Sequence, residues 1–433
     1  MIVRGPVVAL VLLGLLPAAL WPATAGPIAA VWLLGVAVLT LVDLLLTPFP
    51  RQVELSRSPD PQVRLHEPTS TTLTLVNTSA RDLRGWLRDA WVPSAGAGET
   101  RHTVDLPGGE RRRVSTELRP TRRGDRPASG VTLRLHGPLG LSGRQRTVEV
   151  PGVVRSLPPF RSRRHLPSRL AHLRQLDGRS AVRTRGQGTE FDSLRDYVEG
   201  DDVRSIDWRA TARRQHVVVR TWQPERDRRV IIVIDTSRTS AARVGDEPRL
   251  DAALDAALLL TALATHAGDR VDLLAGDRVV RTRVGSGTAR TALLNRMVTA
   301  LAPLEPVLVE ADWTRLAGAV TGLTRRRALV VLLTPLEPAA VEAGLLPVLP
   351  TLTAHHRVIL ASVADPELED LRADLGGLSA VYDAAAAERT QELRRRTAQA
   401  LRQLGVSPIE ATPDDLPVAL ADHYLALKAR GLL

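Results

Sequence analysis

The feature that most limits the folds open to this chain is an uncharged, apolar run at its N-terminal end. No residue between Gly5 and Val42 carries a charge. The turn-like "PATAG" divides the run into "VVALVLLGLLPAALW" and "PIAAVWLLGVAVLTLV". Because a membrane-spanning helix needs about 20 mostly apolar residues, the pattern predicts a transmembrane helical hairpin over residues 1–50. Asp43, late in the second segment, is expected at the membrane interface or bonded to backbone.

The charges that flank the apolar run set the orientation that we expect in a membrane. Arg4 precedes both apolar segments, arginine returns at Arg51, and the turn between the segments carries no charge. The positive-inside rule then places both ends, and everything after Arg51, in the cytoplasm. We therefore predict a two-pass protein of the inner (cytoplasmic) membrane, with the lipid bilayer as a partner and cytoplasmic soluble domains. A secretory signal stays open as an alternative, because residues 23–25 (Ala-Thr-Ala) match a small-residue cleavage site.

Composition removes several classes of function. The 433 residues are enough for two or three domains, and the absence of cysteine excludes disulfides, thiolate metal sites and a cysteine nucleophile. The formal net charge is +11, but it is carried by arginine, since Lys428 is the one lysine of the chain. Aromatic residues make up 3% of the sequence, which leaves few platforms for base stacking. Nucleic acid is therefore not a predicted partner.

Soluble regions with different patterns follow the apolar run. Residues 51–155 hold short alternating runs such as "TTLTLV", "RRVSTEL" and "VTLRLHG" between turn signals, which predicts a β-sandwich domain. Residues 156–225 are predicted to form a basic linker and a signature segment, and the linker either is solvated or contacts anionic lipid. Residues 226–433 alternate apolar strands ("RRVIIVID", "RALVVLLT", "RVILASV") with helices, which predicts an α/β domain with a doubly wound, mostly parallel sheet.

The first strand of the α/β domain ends in a loop that offers ligands for a metal ion. Its sequence "DTSRTS" places Asp235, Ser237 and Thr239 on one tight loop. In open α/β sheets, ligands bind beyond the carboxyl ends of the strands. One carboxylate and two hydroxyls are hard oxygen ligands of the kind that suits Mg²⁺ or Mn²⁺. The loop is therefore a candidate metal site, and the alternative is a metal-free loop whose hydroxyls cap the next helix.

This loop resembles the D-x-S-x-S signature of von Willebrand factor A-like domains, with threonine in the last place. The resemblance implies a metal-ion-dependent adhesion site, in which the ion leaves a coordination position for an acidic residue of a partner protein. A second loop should then supply a threonine, for which Thr288 is the candidate. A third loop should supply an aspartate, but Pro335 stands at that position, and Glu337 is the acid that follows it.

A second cluster of polar residues, "GTEFDSLRDYVEGDDVRSIDWRATAR", spans residues 188–213. Its apolar spacing at Phe191, Leu194, Tyr197 and Val198 predicts a helix with one inward face. The sequence "HVVVRTW" after it predicts a strand. Three interpretations of its carboxylates stay open. They could be metal ligands of a hydrolase, an ion-paired scaffold, since arginine pairs bidentately with carboxylate, or a partner-binding surface built on that scaffold.

The same stretch carries a family resemblance. It matches the pattern G-x-E-F-x-x-L-R-x-Y-x-x-G-D-D-x-R-x-I-D-W-x-A-x-A-R and is similar to the hallmark of the bacterial domain-of-unknown-function family 58. The matching residues are Gly188, Glu190, Phe191, Leu194, Arg195, Tyr197, Gly200, Asp201, Asp202, Arg204, Ile206, Asp207, Trp208, Ala210, Ala212 and Arg213. The resemblance implies a membrane-anchored cytoplasmic protein with a von Willebrand factor A-like domain. It also implies a MoxR-class AAA+ ATPase as partner, and often a transglutaminase-like membrane protein.

Together these features predict a membrane-anchored cytoplasmic adaptor that is not an enzyme and that binds a MoxR-class ATPase. The candidate metal ligands are Asp235, Ser237, Thr239 and Thr288. The candidate partner-binding residues of the signature segment are Glu190, Arg195, Asp201, Asp202, Arg204, Asp207, Trp208 and Arg213. Two alternatives stay open, a metal-dependent hydrolase and a metal-free structural scaffold. The hydrolase would use Asp201, Asp202, Asp207 and Asp235.

Overall fold

The computed structural model describes most of the chain and divides it into two units. The first unit is Met1–Leu157 and the second is Pro158–Leu433. The described residues are 2–3, 5–14, 16, 25–58, 60–183, 190–223, 228–285 and 290–433.

The first unit begins with a two-residue strand and two apolar helices. These elements are β1 (Ile2–Val3), α1 (Gly5–Leu13) and α2 (Ala25–Leu46). Within the described ranges, one helix, which starts at Ala25, is long and apolar enough to cross a membrane. The indole Nε1 of Trp32 in α2 donates to the Leu10 carbonyl of α1 at 2.8 Å, so the two helices touch. The two-helix hairpin stays a prediction, because α1 has nine residues and most of the expected turn lies outside the described residues.

The rest of the first unit is a sandwich of two β-sheets. Its strands are β2 (Val53–Arg57), β3 (Gln62–Arg64), β4 (Thr69–Asn77), β5 (Leu83–Trp91), β6 (Arg101–Leu106), β7 (Arg111–Leu118), β8 (Gly124–His136), β9 (Ser142–Val148) and β10 (Val153–Leu157). In the described part of the unit, β2, β4 and β7 form one sheet, and the other strands, with β1, form a second. Both sheets contribute to one apolar core, which contains Leu75 of β4 and Leu133 of β8. Successive side chains of a strand point to opposite faces, which explains why β4 buries every second residue along most of its length.

The second unit combines helices with a mostly parallel sheet. Its strands are β11 (Glu190–Asp196), β12 (Val218–Gln223), β13 (Arg229–Asp235), β14 (Arg243–Val244), β15 (Glu247–Pro248), β16 (Arg270–Gly276), β17 (Val280–Val284), β18 (Leu329–Leu333), β19 (Arg357–Val363) and β20 (Val406–Ala411). Its helices are α3 (Leu166–Arg183), α4 (Trp208–Arg214), α5 (Arg249–His266), α6 (Arg290–Leu301), α7 (Trp313–Leu323), α8 (Pro338–Ala340), α9 (Leu349–Thr353), α10 (Glu367–Ala373), α11 (Leu378–Gln403) and α12 (Leu416–Ala429).

The large sheet of this unit has the strand order β17-β16-β13-β18-β19-β20. Its pairs are parallel except β16 with β17, which are antiparallel. Strands β13 and β18 are buried almost throughout, as expected for parallel strands covered on both faces. From β13 the chain first builds the sheet on one side, through β16, and then returns to build the other side, through β18. The order of strands therefore reverses at β13 and β18.

The helix predicted from the spacing of Phe191, Leu194 and Val198 is wrong. Residues 190–196 form β11, which pairs antiparallel with β12, and the strand predicted from "HVVVRTW" is confirmed as β12. Hydrogen bonds to β12 pair the backbone N–H and C=O groups of this segment. Such long-range pairing depends on the partner strand, so it outweighs the local spacing of apolar residues.

Candidate functional site

The candidate site lies where the strand order of the large sheet reverses. Asp235 is the last residue of β13, and Thr334 directly follows the end of β18. Because β13 and β18 are parallel neighbours, their carboxyl ends meet at one edge of the sheet. Ligands of open α/β sheets bind at this edge, outside the point of reversal.

Three residues donate hydrogen bonds to the Asp235 carboxylate. The Ser237 amide donates to Oδ1 at 2.7 Å, the Thr239 hydroxyl donates to Oδ2 at 3.1 Å, and the Thr334 hydroxyl donates to Oδ2 at 2.7 Å. The hydroxyls of Ser237 and Thr239 also lie 3.1 Å apart. All four side chains are buried, with Asp235 2% exposed. We call Asp235, Ser237, Thr239 and Thr334 the hydroxyl-carboxylate site.

The acid of this site has an unusual ionisation. Burial raises the pKa of Asp235 above its ordinary value of 3.8, and the hydrogen bonds from Thr334 and Ser237 oppose this rise without cancelling it. A low-dielectric surrounding disfavours the charged form of a carboxyl group. Because no cationic side chain among the described residues neutralises the Asp235 carboxylate, the site favours binding of a proton or a cation.

A second buried acid next to the site behaves differently. Asp277 follows β16, the other neighbour of β13, and its Oδ2 accepts from the Thr236 hydroxyl at 2.9 Å and from Arg281 Nε at 2.8 Å. Burial acts to raise the pKa of Asp277, but Arg281 and Thr236 outweigh it and the pKa falls. Asp277 is thus neutralised by an arginine of the chain, whereas Asp235 is surrounded by neutral donors.

Of the two further metal ligands suggested by the sequence, Thr288 and Glu337, the structure describes only Glu337. Thr288 lies outside the described residues, so its place near Asp235 stays a prediction. Glu337 accepts from Arg249 Nη1 at 2.6 Å and from Arg394 Nη2 at 3.0 Å. Burial acts to raise the pKa of Glu337, but these two arginines outweigh it and lower the pKa. Glu337 is therefore held in an ion-pair network of its own.

Sequence reasoning missed Thr334. It stands one position before Pro335, and the resemblance placed the expected ligand of the third loop at position 335 instead. The signal was present, since a hydroxyl residue at the end of a buried strand, "LLT", lies at the ligand-binding edge whenever that strand is parallel to β13. With Thr334 included, the third loop contributes a hydroxyl oxygen to the site despite the proline.

The carboxylates of the signature segment serve separate local roles. Asp201 pairs with Arg195 Nη2 at 2.5 Å, and Asp202 accepts from the Arg204 amide at 2.9 Å. Asp207 begins α4 by accepting from the Arg209 and Ala210 amides, each at 3.0 Å. The three acids therefore cap turns and helices or pair with arginine, as in an ion-paired scaffold.

Asp207 also connects two elements of the fold. Besides its two backbone donors it accepts from Arg220 Nε of β12 at 2.8 Å, which ties α4 to the strand pair. The Ala210 amide, followed by Arg220, lowers the pKa of Asp207. In the described part of the chain, no group of three or more histidine or acidic residues could hold a metal ion.

Three of the remaining signature residues, Trp208, Arg204 and Arg213, are exposed. Trp208, the first residue of α4, is 66% exposed, and the Arg204 and Arg213 side chains are exposed as well. Glu190 opens β11 opposite Gln223, but its side chain is outside the described atoms. The described half of the signature thus combines an internally bonded frame with an exposed indole and exposed guanidinium groups.

Comparison with known protein families identifies the family of one part of the chain. The model of the family described as protein of unknown function DUF58 matches residues 193–404, and this part of the chain belongs to the family. An uncharacterized protein of Mycobacterium bovis and one of Mycobacterium tuberculosis are each 30% identical over 190 residues. The alignment covers 43% of this chain and 59% of each relative, so the chain spans about three fifths of the length of these relatives.

Solved structures are similar to parts of the chain. An aerotolerance-related membrane protein from Bacteroides fragilis is 12% identical, with a TM-score of 0.28, over 46% of this chain and 98% of that one. A PapD-like domain of human CEP192 is 16% identical, with a TM-score of 0.19, over 24% of this chain and 84% of that one.

Proposed function

We propose that this protein is a membrane-anchored adaptor whose second unit, a von Willebrand factor A-like domain, binds a partner protein at the hydroxyl-carboxylate site. The observation that carries the proposal is the convergence of three hydroxyl residues on Asp235 where the strand order reverses. The parallel sheet and its strand order also support this fold assignment. The adaptor acts by holding its partner and does not itself turn over a substrate.

The side chains of the hydroxyl-carboxylate site are of the type that binds a hard divalent cation. The carboxylate of Asp235 and the hydroxyls of Ser237, Thr239 and Thr334 are oxygen ligands, which suit Mg²⁺ or Mn²⁺. They would hold the ion together with Thr288, if that residue reaches the site. When bound, the ion would take an acidic side chain of the partner as a further ligand. With one carboxylate in the set, we expect weak binding of the ion until the partner adds its own charge.

Two contacts in the first unit support a two-pass anchor. Strand β1 pairs with the start of β9, with Val3 opposite Ser142, and Asp43 near the end of α2 accepts hydrogen bonds from the same turn. The residues before the apolar segment and the residues at its end therefore contact the same place on the sandwich, which is the arrangement that a hairpin requires. The arginines that flank the segment favour the cytoplasmic side for both ends.

The partner that we propose is a MoxR-class AAA+ ATPase, with a transglutaminase-like membrane protein as a further component. This step depends on the resemblance to family 58. A membrane-anchored, non-enzymatic adaptor would hold such an ATPase at the membrane.

Substitution of Asp235 by asparagine tests the site directly. We expect the full chain in detergent micelles to bind Mg²⁺ or Mn²⁺ in calorimetric titration and to retain a purified MoxR-class ATPase in a metal-dependent manner. Asp235→Asn should weaken metal binding and ATPase binding each by at least tenfold, or about 1.4 kcal/mol. Asp272→Asn is the matched control, since Asp272 is a buried acid of the same sheet that pairs with Arg229 at 2.6 Å.

Different outcomes separate the alternatives. ATPase capture without any heat from metal, and unchanged in Asp235→Asn, would favour a metal-free scaffold. Turnover of a phosphoester by the purified chain, lost in Asp235→Asn or Asp202→Asn, would refute the adaptor and favour a hydrolase.

The raised pKa of Asp235 predicts a pH dependence of stability. Protonated Asp235 stabilises the fold below the ordinary carboxyl pKa, and this contribution is lost as the pH rises through the raised folded value. Asp235→Asn, which is neutral at every pH, should therefore gain stability over the wild type as the pH rises from 4 to 8 in a metal chelator. A gain of about 1 kcal/mol corresponds to roughly 2–4 °C in melting temperature. A difference between the two proteins that does not change with pH would contradict the assignment.

A further inference from the structure

The second unit carries an exposed apolar patch on a helical arm. The arm, residues 365–392, consists of α10 and the first half of α11, and Arg372 joins the two helices by pairing with Glu388 at 2.6 Å. Near the turn between the helices, Leu375, Leu378 and Tyr382 are 68%, 77% and 70% exposed. Clustered apolar surface of this kind typically marks a site of protein association.

The charge of this arm is opposite to that of the whole chain. The arm contains eight acidic residues and two arginines, while the whole chain has a formal charge of +11. Its exposed acids include Glu367, Asp374 and Asp383. We call residues 365–392 the acidic arm. A ligand of the acidic arm should therefore combine apolar groups with positive charge.

A surface with these properties exists elsewhere on the same unit. Residues 203–214 contain four arginines and one acid, Asp207, which is engaged in capping α4 and in pairing with Arg220. Val203 and Trp208 are 61% and 66% exposed. Within the described residues, no acidic partner is present for the four arginines, which are Arg204, Arg209, Arg213 and Arg214. We call residues 203–214 the basic face.

We propose that the basic face of one copy binds the acidic arm of a second copy. Each surface pairs exposed apolar side chains with one sign of charge, and the two signs are complementary. Complementary charge speeds association and selects the partner, while the buried apolar groups supply affinity. An anionic lipid surface would repel the acidic arm, so a membrane does not account for both surfaces.

The proposed contact joins two different surfaces, so it is heterologous. A heterologous contact leaves one free surface at each end of a dimer, and repetition closes a ring or extends a filament. The adaptor would then present several hydroxyl-carboxylate sites in one assembly. This inference does not depend on metal binding at Asp235, because none of the four metal-site residues lies in either surface.

Charge reversal in two variants tests the proposal. Variant one is Arg209→Glu with Arg213→Glu, and variant two is Glu367→Arg with Asp383→Arg. We expect the wild-type chain in detergent micelles to self-associate in sedimentation velocity, more weakly at high salt. Each variant should weaken self-association by at least tenfold. Arg325→Glu with Arg327→Glu is the matched control, because both arginines are exposed and lie outside both surfaces.

Mixing the variants gives the decisive result. Variant one keeps an intact acidic arm and variant two keeps an intact basic face, so an equimolar mixture should form a dimer that neither forms alone. A monomeric wild type, or a mixture that stays monomeric, would overturn the proposal. It would also be overturned if variant one lost binding to vesicles of anionic lipid while keeping wild-type self-association.

Discussion

Replacing Asp43 by alanine is expected to destabilise the first unit by about 3 kcal/mol or more. The Asp43 carboxylate is fully buried and accepts four hydrogen bonds from the turn that leads into β9. The donors are the amides of Leu139, Leu141 and Ser142, at 2.7, 2.9 and 2.6 Å, and the Ser142 hydroxyl at 3.0 Å. Each buried donor left without an acceptor costs roughly 1–3 kcal/mol.

Hydrogen exchange locates this effect. In Asp43→Ala, the amides of Leu139 and Leu141 should exchange much faster, and the thermal unfolding of the chain in detergent should shift to lower temperature. Asp43→Asn keeps one acceptor oxygen, so its loss should be smaller. The helix α2 would then be joined to the sandwich less firmly, because Asp43 is its main polar contact with this turn. Unchanged exchange at Leu139 and Leu141 in the alanine variant would show that the turn is held in another way.

Asp43 also shows how far sequence reasoning reaches. An acid at the end of an apolar segment predicts either an interfacial position or bonding to backbone, and the structure has the second. The partner turn could not be predicted, because it lies almost one hundred residues further along the chain. Local pattern identified the residue that needs donors, whereas the tertiary fold determines which donors it receives.

The hydroxyl-carboxylate site divides in the same way. Asp235, Ser237 and Thr239 stand on one loop after a buried strand, so spacing alone brings them together. Thr334 joins them only because β18 is the neighbour of β13 in the sheet, and strand order is set by packing of the whole unit. Glu337 lies three positions after Thr334 in the sequence, but its carboxylate pairs with Arg249 and Arg394, two arginines that are distant in sequence. Sequence proximity to Thr334 therefore does not make it a ligand of the site.

In the signature segment, the spacing of apolar residues predicts the wrong element. Apolar spacing at Phe191, Leu194 and Val198 is compatible with a helix, but the segment pairs with β12. Spacing of apolar residues is informative when one face of the element packs on a core. Val198 is instead 61% exposed, so its place in the pattern carried no information about burial.

Removing Asp89 is expected to have an effect as large as any in the chain, about 3–5 kcal/mol. Asp89 forms two hydrogen bonds with Arg57, at 2.7 and 3.1 Å, and the side chains are 0% and 3% exposed. Trp91 Nε1 also donates to Asp89 at 3.0 Å. Asp89→Ala leaves a guanidinium buried without a counter-charge, and breaking a buried pair in this way typically costs about 3–5 kcal/mol.

A matched surface pair and a double replacement separate charge burial from loss of contact. Arg84 and Asp105, 3.5 Å apart, are 74% and 65% exposed, so Asp105→Ala should cost at most about 1 kcal/mol. Replacing both buried partners, Arg57→Met with Asp89→Leu, removes the unpaired charge and should recover much of the loss, because apolar replacements of buried ion pairs are often neutral. Chemical unfolding of the full chain would measure all three variants. If the double variant were no more stable than Asp89→Ala, lost packing around Trp91 and not the stranded guanidinium would explain the instability.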